Sequence, residues 1–369
     1  MVDIAIIKSN SIIYDVRVRK ISRSLAKRYN PLILGWHRED KDINLNNSDL
    51  NAPIKLFGLK APVGKMRLGF YIPIFWFWVF IQLIIYRPKV VHACDLDVII
   101  PSYLYKMLFR KKLVFDLFDR YAMAYIPKKI SVLYFIINAV EELFCHHADM
   151  LIIVGDNVLT TFKKEPKCYS VIRNCPELSK NNNVIQDNSI LTLLYTGGIV
   201  RNRGLERITE AMENLDNIEL VVAGQVIDKQ FFETIIKTPK LKYQGLLQPN
   251  DALNLVASAG AMVVLYDLNL PINQIANPNK TFEAMMFGIP LITNVQIQLI
   301  NDIEYGLVVD YNNIEQIRSA IITLRDNREL RKSLGDKGKK AFMEKYNWGI
   351  MEERLFSVYK RLILLCIKS

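Results

Sequence analysis

Short apolar runs alternate with longer segments of helical period along most of the chain. In the first half, residues 3–7, 90–93 and 113–116 have the length and the branched side chains of buried strands. The segment 16–29 instead repeats apolar residues at helical spacing between basic ones. The other elements predicted in this half are strands at 31–34 and 150–154 and helices at 100–108 and 130–146. This alternation predicts a parallel sheet with crossover helices.

The polar stretch 179–189 (SKNNNVIQDNS) separates this half from a second set of apolar runs. It has no apolar face to bury, so it is predicted to be a linker. A helical segment rich in Glu and Arg, 348–365, comes near the end of the chain. Between the two, strands are predicted at 191–195, 218–223, 261–265, 291–292 and 307–309 and a helix at 205–214. The pattern of the first half therefore occurs twice.

The predicted fold class is α/β, with two Rossmann-like doubly wound domains facing a cleft. The N-terminal domain is expected at 1–180 and the C-terminal domain at 190–345. A final helix, 346–369, is expected to pack back on the first domain. Ligands of open α/β sheets bind at the carboxyl ends of the strands, so a ligand site is expected in the cleft.

The composition is that of a globular protein with a basic surface. Of 369 residues, 51% are hydrophobic and 23% charged, and the net charge is +11. This charge suits nucleic acid, anionic lipid or phosphate-bearing ligands. No RNA-binding signature or long basic block favours nucleic acid, which is not expected as a partner. The five scattered cysteines and four histidines have no metal-site spacing, so no metal or cofactor is expected. Reduced thiols and the lack of a leader pattern predict a cytoplasmic protein.

One segment, 70–86 (FYIPIFWFWVFIQLIIY), resembles a membrane sequence. Three interpretations remain open: a short spanning helix, a buried core helix, or a helix lying in the membrane interface with aromatic residues at headgroup depth. The segment 126–135 repeats the mixture of Lys and bulky apolar residues. The two segments favour one shared surface on anionic membrane, which places the protein peripherally at the inner face of the cell membrane.

The loop and helix at 277–285 (NPNKTFEAM) carry the clearest candidate chemistry. Asn277 and Asn279 are predicted to cap the helix, whose positive end favours an anion. Lys280 and Glu283 share one helix face, so Lys280 can hold phosphate while Glu283 accepts from ribose hydroxyls. The alternative for any isolated K-x-x-E is a solvated surface pair.

A second loop, 195–204 (YTGGIVRNRG), joins a predicted strand to a predicted helix. Gly197 and Gly198 let backbone N–H groups approach a ligand, and Arg203 offers a planar fork to phosphate oxygens. Alone, the pattern also fits a tight turn with solvated arginines. Together with Lys280 it predicts a diphosphate held by two cations, which stabilise the leaving group without metal.

Several segments in order along nearly the whole chain resemble one family. They are HACDLDVIIPSYL, KLVFDLFDRYA, VIRNCPE, YTGGIVRNRGL, VVAGQ, NPNKTFEAMMFGIPLIT and the terminal W-x-x-x-x-E-R-L-x-x-x-Y. The chain is similar to GT-B glycosyltransferases, most of all to the retaining family 4. The resemblance implies that Arg203 holds the distal phosphate, Lys280 is the second cation and Glu283 binds the donor ribose. It assigns further donor contacts to Gly197, Gly198, Asn277 and Asn279, and base selectivity depends on the backbone near Gly224.

Two positions depart from the family pattern. Ile275 stands where many members have an acidic residue, and Phe118 where many have a His. In a retaining transfer the leaving phosphate can take the acceptor proton, so no strong protein base is required.

Four residues of the first half are weighed as site candidates. Asp119 is a candidate catalytic residue, and Asp95 is an acceptor-side candidate; each can equally be a strand-end cap or loop residue. Arg17 is a second acceptor-side candidate, with a surface helix position as the alternative. His92 lies in an apolar strand, which favours a hydrogen-bonded core histidine over a catalytic one.

The function expected from the residues and the resemblance is transfer of a hexose. The donor is a UDP- or GDP-sugar, and the acceptor a lipid-linked or cell-surface glycan; the transfer proceeds with retention. Two alternatives stay open. One is a nucleotide-sugar epimerase or hydrolase on the same fold. The other is a non-enzymatic accessory subunit, suggested by Ile275 and Phe118.

Overall fold

The computed structural model consists of two compact units. Unit 1 comprises Met1–Asn174 and Met351–Ser369, and unit 2 comprises Cys175–Ile350. The predicted linker 179–189 lies outside the described residues, as do 127–130 of the Lys-containing segment. The structure describes residues 2–9, 12, 15–38, 50–61, 68–126, 131–178 and 190–367.

The described residues of unit 1 contain a sheet of seven parallel strands. They are β1 (Ile4–Lys8), β2 (Pro31–Trp36), β3 (Ile54–Phe57), β4 (Val90–Cys94), β5 (Lys112–Leu117), β6 (Met150–Ile153) and β7 (Tyr169–Val171). Their order across the sheet is β3-β2-β1-β4-β5-β6-β7. The chain first extends the sheet on one side of β1 and then returns to the other side at β4. The carboxyl ends of β1 and β4 thus form the point where the strand order reverses, where open α/β sheets bind ligands.

Helices cover this sheet in unit 1. They are α1 (Val16–Ala26), α2 (Leu68–Tyr86), α3 (Ile99–Phe109), α4 (Tyr121–Tyr125) and α5 (Ser131–His147). Helix α1 begins at Asp15, whose carboxylate accepts the N–H groups of Arg17 and Val18 at 3.0 Å each. The core between sheet and helices is apolar, with Ile6, Ile33 and Phe115 completely buried.

Helix α2 is apolar all round but buries one face only. Phe75, Val79 and Leu83, at spacings of four, are fully buried. Phe75 stacks on Trp36 of β2 with ring centroids 4.7 Å apart. The opposite face exposes apolar side chains, including Phe70, 81% exposed, and Phe77, 69% exposed. Among the described residues, only this helix, over Gly69–Tyr86, is long and apolar enough to cross a membrane, and 17% of that window is buried.

Unit 2 contains a sheet of six parallel strands within the described residues. They are β8 (Leu191–Thr196), β9 (Ile218–Ala223), β10 (Leu241–Tyr243), β11 (Ala261–Val264), β12 (Leu291–Thr293) and β13 (Gly306–Val308), in the order β10-β9-β8-β11-β12-β13. The order reverses between β8 and β11. Both units are therefore doubly wound α/β domains, as predicted from the alternation of apolar runs.

The helices of unit 2 pack on this sheet and continue into the last helix of the chain. They are α6 (Leu205–Ala211), α7 (Lys229–Ile235), α8 (Pro249–Ser258), α9 (Pro271–Gln274), α10 (Asn279–Phe287), α11 (Ile297–Ile303), α12 (Ile314–Asp326), α13 (Arg328–Lys345) and α14 (Trp348–Ile367). From Met351 onward α14 belongs to unit 1. There Glu352 pairs with Lys27 at 2.8 Å, and the guanidinium of Arg28 lies 3.7 Å from the ring centroid of Phe356.

Candidate functional site

Two glycines bring the ends of β8 and β9 into close contact in unit 2. Gly197 has φ +132° and Gly224 φ +143°, a region that side-chain-bearing residues rarely adopt. A Cβ on Gly224 would lie 1.9 Å from the carbonyl oxygen of Gly197. A Cβ on Gly197 would lie 2.5 Å from Nζ of Lys280. Only glycine leaves room for the lysine ammonium directly beside this loop.

Helix α10 begins without a side-chain cap, contrary to the predicted Asn cap. The residue at the N-cap position is Pro278, and among the described residues no side-chain cap hydrogen bond is made there. The Asn277 amide is instead used within the loop: it donates to the Ile275 carbonyl at 2.9 Å and accepts from Gln296 at 3.0 Å. Asn279 is exposed. An anion at this helix terminus would meet backbone N–H groups and the positive end of the helix dipole.

The Lys280 ammonium packs on an aromatic ring and lies near a second cation. Its ammonium is 4.6 Å from the ring centroid of Tyr195, whose hydroxyl donates to the Gly198 carbonyl at 2.7 Å. Burial lowers the pKa of Lys280 to about 8; Glu283 opposes this shift, and Arg203 adds to it. A lysine this close to losing its proton, beside another cation, gains more than a solvated one from an anionic ligand.

Arg203 is held at the end of β11 by an aromatic ring. Its guanidinium carbon lies 4.0 Å from the ring centroid of Tyr266. Asn294, which follows β12, fixes the backbone of Tyr266: it accepts from the Tyr266 N–H and donates to its carbonyl, both at 2.8 Å. Sequence reasoning missed Tyr195, Tyr266 and Asn294. The available signal was a polar or aromatic residue near the carboxyl end of each apolar strand.

The fold thus brings four of the predicted donor-side groups together. The Gly197 loop, Lys280, Glu283 and Arg203 meet where the strand order of unit 2 reverses. Two cations, a carboxylate and an uncapped helix terminus can together bind a diphosphate ester that carries hydroxyl groups.

Arg17 does not lie on an acceptor surface, and this corrects the sequence-based candidate. Its side chain is 3% exposed. Nε and Nη2 donate to the two oxygens of Asp116 at 3.0 and 2.7 Å, and Nη1 donates to the Ile172 carbonyl at 2.7 Å. The sequence placed Arg17 in the first turn of a helix but could not show that β5 supplies a carboxylate beneath it.

His92 is a hydrogen-bonded core histidine, as its apolar strand predicted. Nδ1 lies 2.6 Å from the Tyr359 hydroxyl of α14, and Nε2 lies 3.2 Å from Asp116. His92, Cys94 and Asp116 place potential metal-ligand atoms within 4.8 Å of one another. Arg17 already neutralises Asp116, and burial raises the pKa of the Cys94 thiol, which keeps it protonated. This grouping fits a structural network better than a metal centre.

Asp95 and Asp119 follow β4 and β5 at the carboxyl edge of unit 1. Asp95 has φ 70° and ψ 172°, a conformation otherwise adopted almost only by glycine. It accepts the Phe118 N–H at 3.0 Å and pairs with the ammonium of Lys8, which lies 3.9 Å from the Phe118 ring centroid. Asp119 is exposed. The Phe118 ring therefore packs against the Lys8–Asp95 pair.

Known proteins resemble this chain in sequence over part of its length. Residues 177–341 match the family model described as glycosyl transferases group 1. The capsular polysaccharide biosynthesis glycosyltransferase CapM of Staphylococcus aureus is 24% identical over 191 residues, which cover 49% of this chain and 48% of CapM. The chain spans about half the length of the curated relatives it matches.

Solved structures resemble the chain over nearly its full length. Sucrose-phosphate synthase from Thermosynechococcus elongatus superposes with a TM-score of 0.81 at 15% identity, over 99% of this chain and 100% of that one. Anabaena HepE in complex with UDP-glucose superposes with a TM-score of 0.75 at 11% identity, over 98% and 100%. At these identities the likeness establishes the fold, which is of the GT-B type predicted from the sequence motifs.

Proposed function

We propose that this chain is a glycosyltransferase, since its residues 177–341 match the family model described as glycosyl transferases group 1. The observation that carries the proposal is the arrangement at the β8–β11 reversal, where Lys280 lies against the Gly197 loop with Arg203 as its neighbouring cation. Charge builds up on the distal phosphate as a glycosidic bond to a nucleoside diphosphate breaks. Cations fixed before the reaction stabilise that charge at little reorganisation cost.

The donor proposed is a UDP- or GDP-sugar. Lys280 and Arg203 would bind its phosphates, and Glu283, one helical turn from Lys280, would accept from the ribose hydroxyls. The solved HepE complex, which shares the fold, contains UDP-glucose and supports a nucleotide sugar as donor. The sugar itself is proposed to be a hexose.

Retention of configuration is proposed from the resemblance to retaining glycosyltransferases alone. Independence from metal is proposed from the two cations. With both phosphates neutralised by side chains, a divalent cation is not required to activate the leaving group. The departing phosphate oxygen can accept the proton of the attacking hydroxyl, so the reaction needs no strong side-chain base.

The acceptor proposed is a lipid-linked or cell-surface glycan, with the protein bound peripherally to the inner face of the membrane. An apolar surface formed by three helices supports the proposed membrane binding. Helix α2 packs on α3, and Tyr103 of α3 contacts Phe144 of α5 with ring centroids 5.2 Å apart. Exposed apolar side chains on these three helices include Phe70, Ile74, Phe77, Ile81, Ile85, Leu104, Met107, Leu108, Val132, Phe135 and Ile136. Soluble proteins rarely leave so much apolar area uncovered.

A glycosyl-transfer assay tests the proposal. Purified protein is incubated with UDP- and GDP-hexoses and membrane lipid extract, with and without EDTA, and the anomeric configuration of the product is determined by NMR. We expect a glycosylated lipid, formed with retention and unaffected by EDTA. Conversion of the sugar without an acceptor would favour an epimerase or hydrolase. No turnover together with no protection by UDP or GDP would leave the accessory-subunit interpretation.

A further inference from the structure

Tyr195, near the end of β8, contacts two separate parts of the candidate donor site. Its side chain is 2% exposed. Its ring lies 4.6 Å from Nζ of Lys280, measured to the ring centroid, and its hydroxyl donates to the Gly198 carbonyl at 2.7 Å. A Cβ on Gly197 would lie 2.5 Å from Nζ of Lys280 and 4.0 Å from the Tyr195 hydroxyl oxygen. One buried side chain thus contacts helix α10 and the glycine loop at the same point.

The hydroxyl of Tyr195 completes the hydrogen bonding of the peptide unit between Gly198 and Ile199. The Ile199 N–H donates to the Gln225 carbonyl, just after β9, at 2.8 Å, and the carbonyl of the same peptide unit accepts from Tyr195. The peptide plane is therefore held at both ends. Without the hydroxyl, the carbonyl end loses its donor, and a glycine backbone has the freedom to turn. The hydroxyl thus fixes how the loop faces a ligand.

The ring of Tyr195 supports a cation without neutralising it. Burial raises the pKa of the Tyr195 hydroxyl, so the side chain is uncharged. The face of such a ring attracts an ammonium group within about 6 Å. Burial lowers the pKa of Lys280 to about 8; Glu283 opposes this shift, and Arg203 adds to it. The ring therefore favours the charged ammonium where burial and Arg203 oppose it. Unlike a carboxylate at that place, it leaves the charge available to a phosphate.

We propose that Tyr195 is a positioning residue of the donor site: its ring holds the Lys280 ammonium while its hydroxyl fixes the Gly198 carbonyl, so that cation and loop meet a diphosphate in one arrangement. This rests on the proposed transferase function and adds a residue to it. Tyr195 acts through Lys280 and the glycine loop rather than on the reacting atoms. Tyr266, whose ring centroid lies 4.0 Å from the guanidinium carbon of Arg203, repeats the arrangement for the second cation.

Titration of Lys280 by NMR tests the role of the ring. The full-length protein is labelled at lysine Cε, without ligand, and the Lys280 signal is assigned by its loss in Lys280→Arg. Tyr195→Phe keeps the aromatic face, so the titration midpoint of Lys280 should not change. Trifluorophenylalanine at position 195 keeps the shape of the ring but weakens its negative face. The midpoint should then fall by about half a pH unit or more relative to Tyr195→Phe. A role in packing alone would leave the two midpoints equal.

Calorimetric titration with inorganic pyrophosphate at pH 7 tests the role of the hydroxyl. Tyr195→Phe should bind about fivefold more weakly than the wild type, because the Gly198 carbonyl loses its donor. The matched control is Tyr243→Phe. The Tyr243 hydroxyl donates to the Gly224 carbonyl at 2.8 Å, and its ring packs on Phe232 with centroids 4.8 Å apart. This control should bind pyrophosphate like the wild type, since it leaves the contacts of Tyr195 in place.

The outcomes separate this inference from the proposed function. The inference is overturned if phenylalanine and trifluorophenylalanine at position 195 give Lys280 the same midpoint. It is also overturned if Tyr195→Phe and Tyr243→Phe bind pyrophosphate equally well. If the midpoint and the pyrophosphate affinity change as expected but neither UDP nor GDP binds the wild type, the nucleotide-sugar donor fails while the role of Tyr195 stands.

Discussion

At the scale of single residues, the charge of Lys280 should govern donor affinity. Burial lowers its pKa to about 8. The lysine is therefore cationic below this pH and neutral above it, so affinity for UDP or GDP should fall, by about tenfold, as the pH rises from 7 to 9. Calorimetric titration at pH 7, 8 and 9 measures this affinity. Lys280→Arg keeps its charge over this range and should flatten the profile; an equal decline in both proteins would contradict the role of Lys280.

Gly224 and Gly198 form a matched pair of glycines at the donor loop. Gly224→Ala forces a Cβ onto the Gly197 carbonyl at φ +143° and should cost about 2 kcal/mol or more. Gly198→Ala meets only the flexible end of Ile227, which is 62% exposed, and should cost less than about 1 kcal/mol. Thermal unfolding distinguishes them. Equal losses in the two variants would show that the close approach of β8 and β9 is not what requires glycine.

Part of the site could be predicted at this scale. Lys280, Arg203 and Gly197 could be predicted from the sequence because two loops that are ambiguous alone lie in one predicted domain and together favour a diphosphate. Arg17 was misassigned, since its partner Asp116 lies 99 positions away in the sequence. Tyr195 and Tyr266 were missed for the same reason: their contacts with Lys280 and Arg203 join separate elements of unit 2.

At the scale of elements, the exposed face of α2 should bind membrane. Phe70→Ser, Phe77→Ser changes only exposed positions, so stability should be kept while partitioning onto phosphatidylglycerol vesicles falls about tenfold or more. Vesicle co-sedimentation measures this partitioning. The control Ile227→Ser, Leu246→Ser removes comparably exposed apolar residues from unit 2 and should sediment like the wild type. Unchanged sedimentation of the α2 variant would contradict the membrane role.

A buried hydrogen bond joins helix α14 to the unit 1 sheet. Tyr359→Phe leaves Nδ1 of His92 without its 2.6 Å partner and should destabilise unit 1 by about 1–3 kcal/mol. Urea denaturation gives the free energy of unfolding. Tyr29→Phe is the control, because it keeps the ring that packs 6.0 Å from Tyr359. If both variants are as stable as the wild type, the His92 bond does not fasten the helix.

Elements with a strong apolar run were predictable, and short or polar ones were not. Strands β3, β7 and β10 were not assigned, because three or four residues with half-buried or exposed positions become strands only through a neighbouring strand. Helix α13 was also unassigned. It contains Gly335, which weakens helices in isolation, yet a Cβ there would lie 2.0 Å from the Gly288 carbonyl. That glycine is explained by packing against α10, which the sequence does not show.

At the scale of the whole molecule, the repeated alternation of apolar runs was enough to predict two doubly wound domains. Each sheet carries its candidate ligand groups where its strand order reverses: Lys280 and Arg203 in unit 2, Lys8 and Asp95 in unit 1. The repeated topology explains why candidate polar side chains lie at the same place in both units.

The most direct test of the account is thermal stabilisation of the purified protein by UDP, GDP and ADP. A ligand that binds the native state raises its melting temperature. Stabilisation by UDP or GDP is predicted for the wild type and for Lys337→Ala, Glu304→Ala, which removes an exposed pair elsewhere in unit 2. It should be lost in Lys280→Ala, Glu283→Ala. No stabilisation by UDP or GDP, or equal stabilisation of all three proteins, would contradict a nucleotide-sugar site at Lys280.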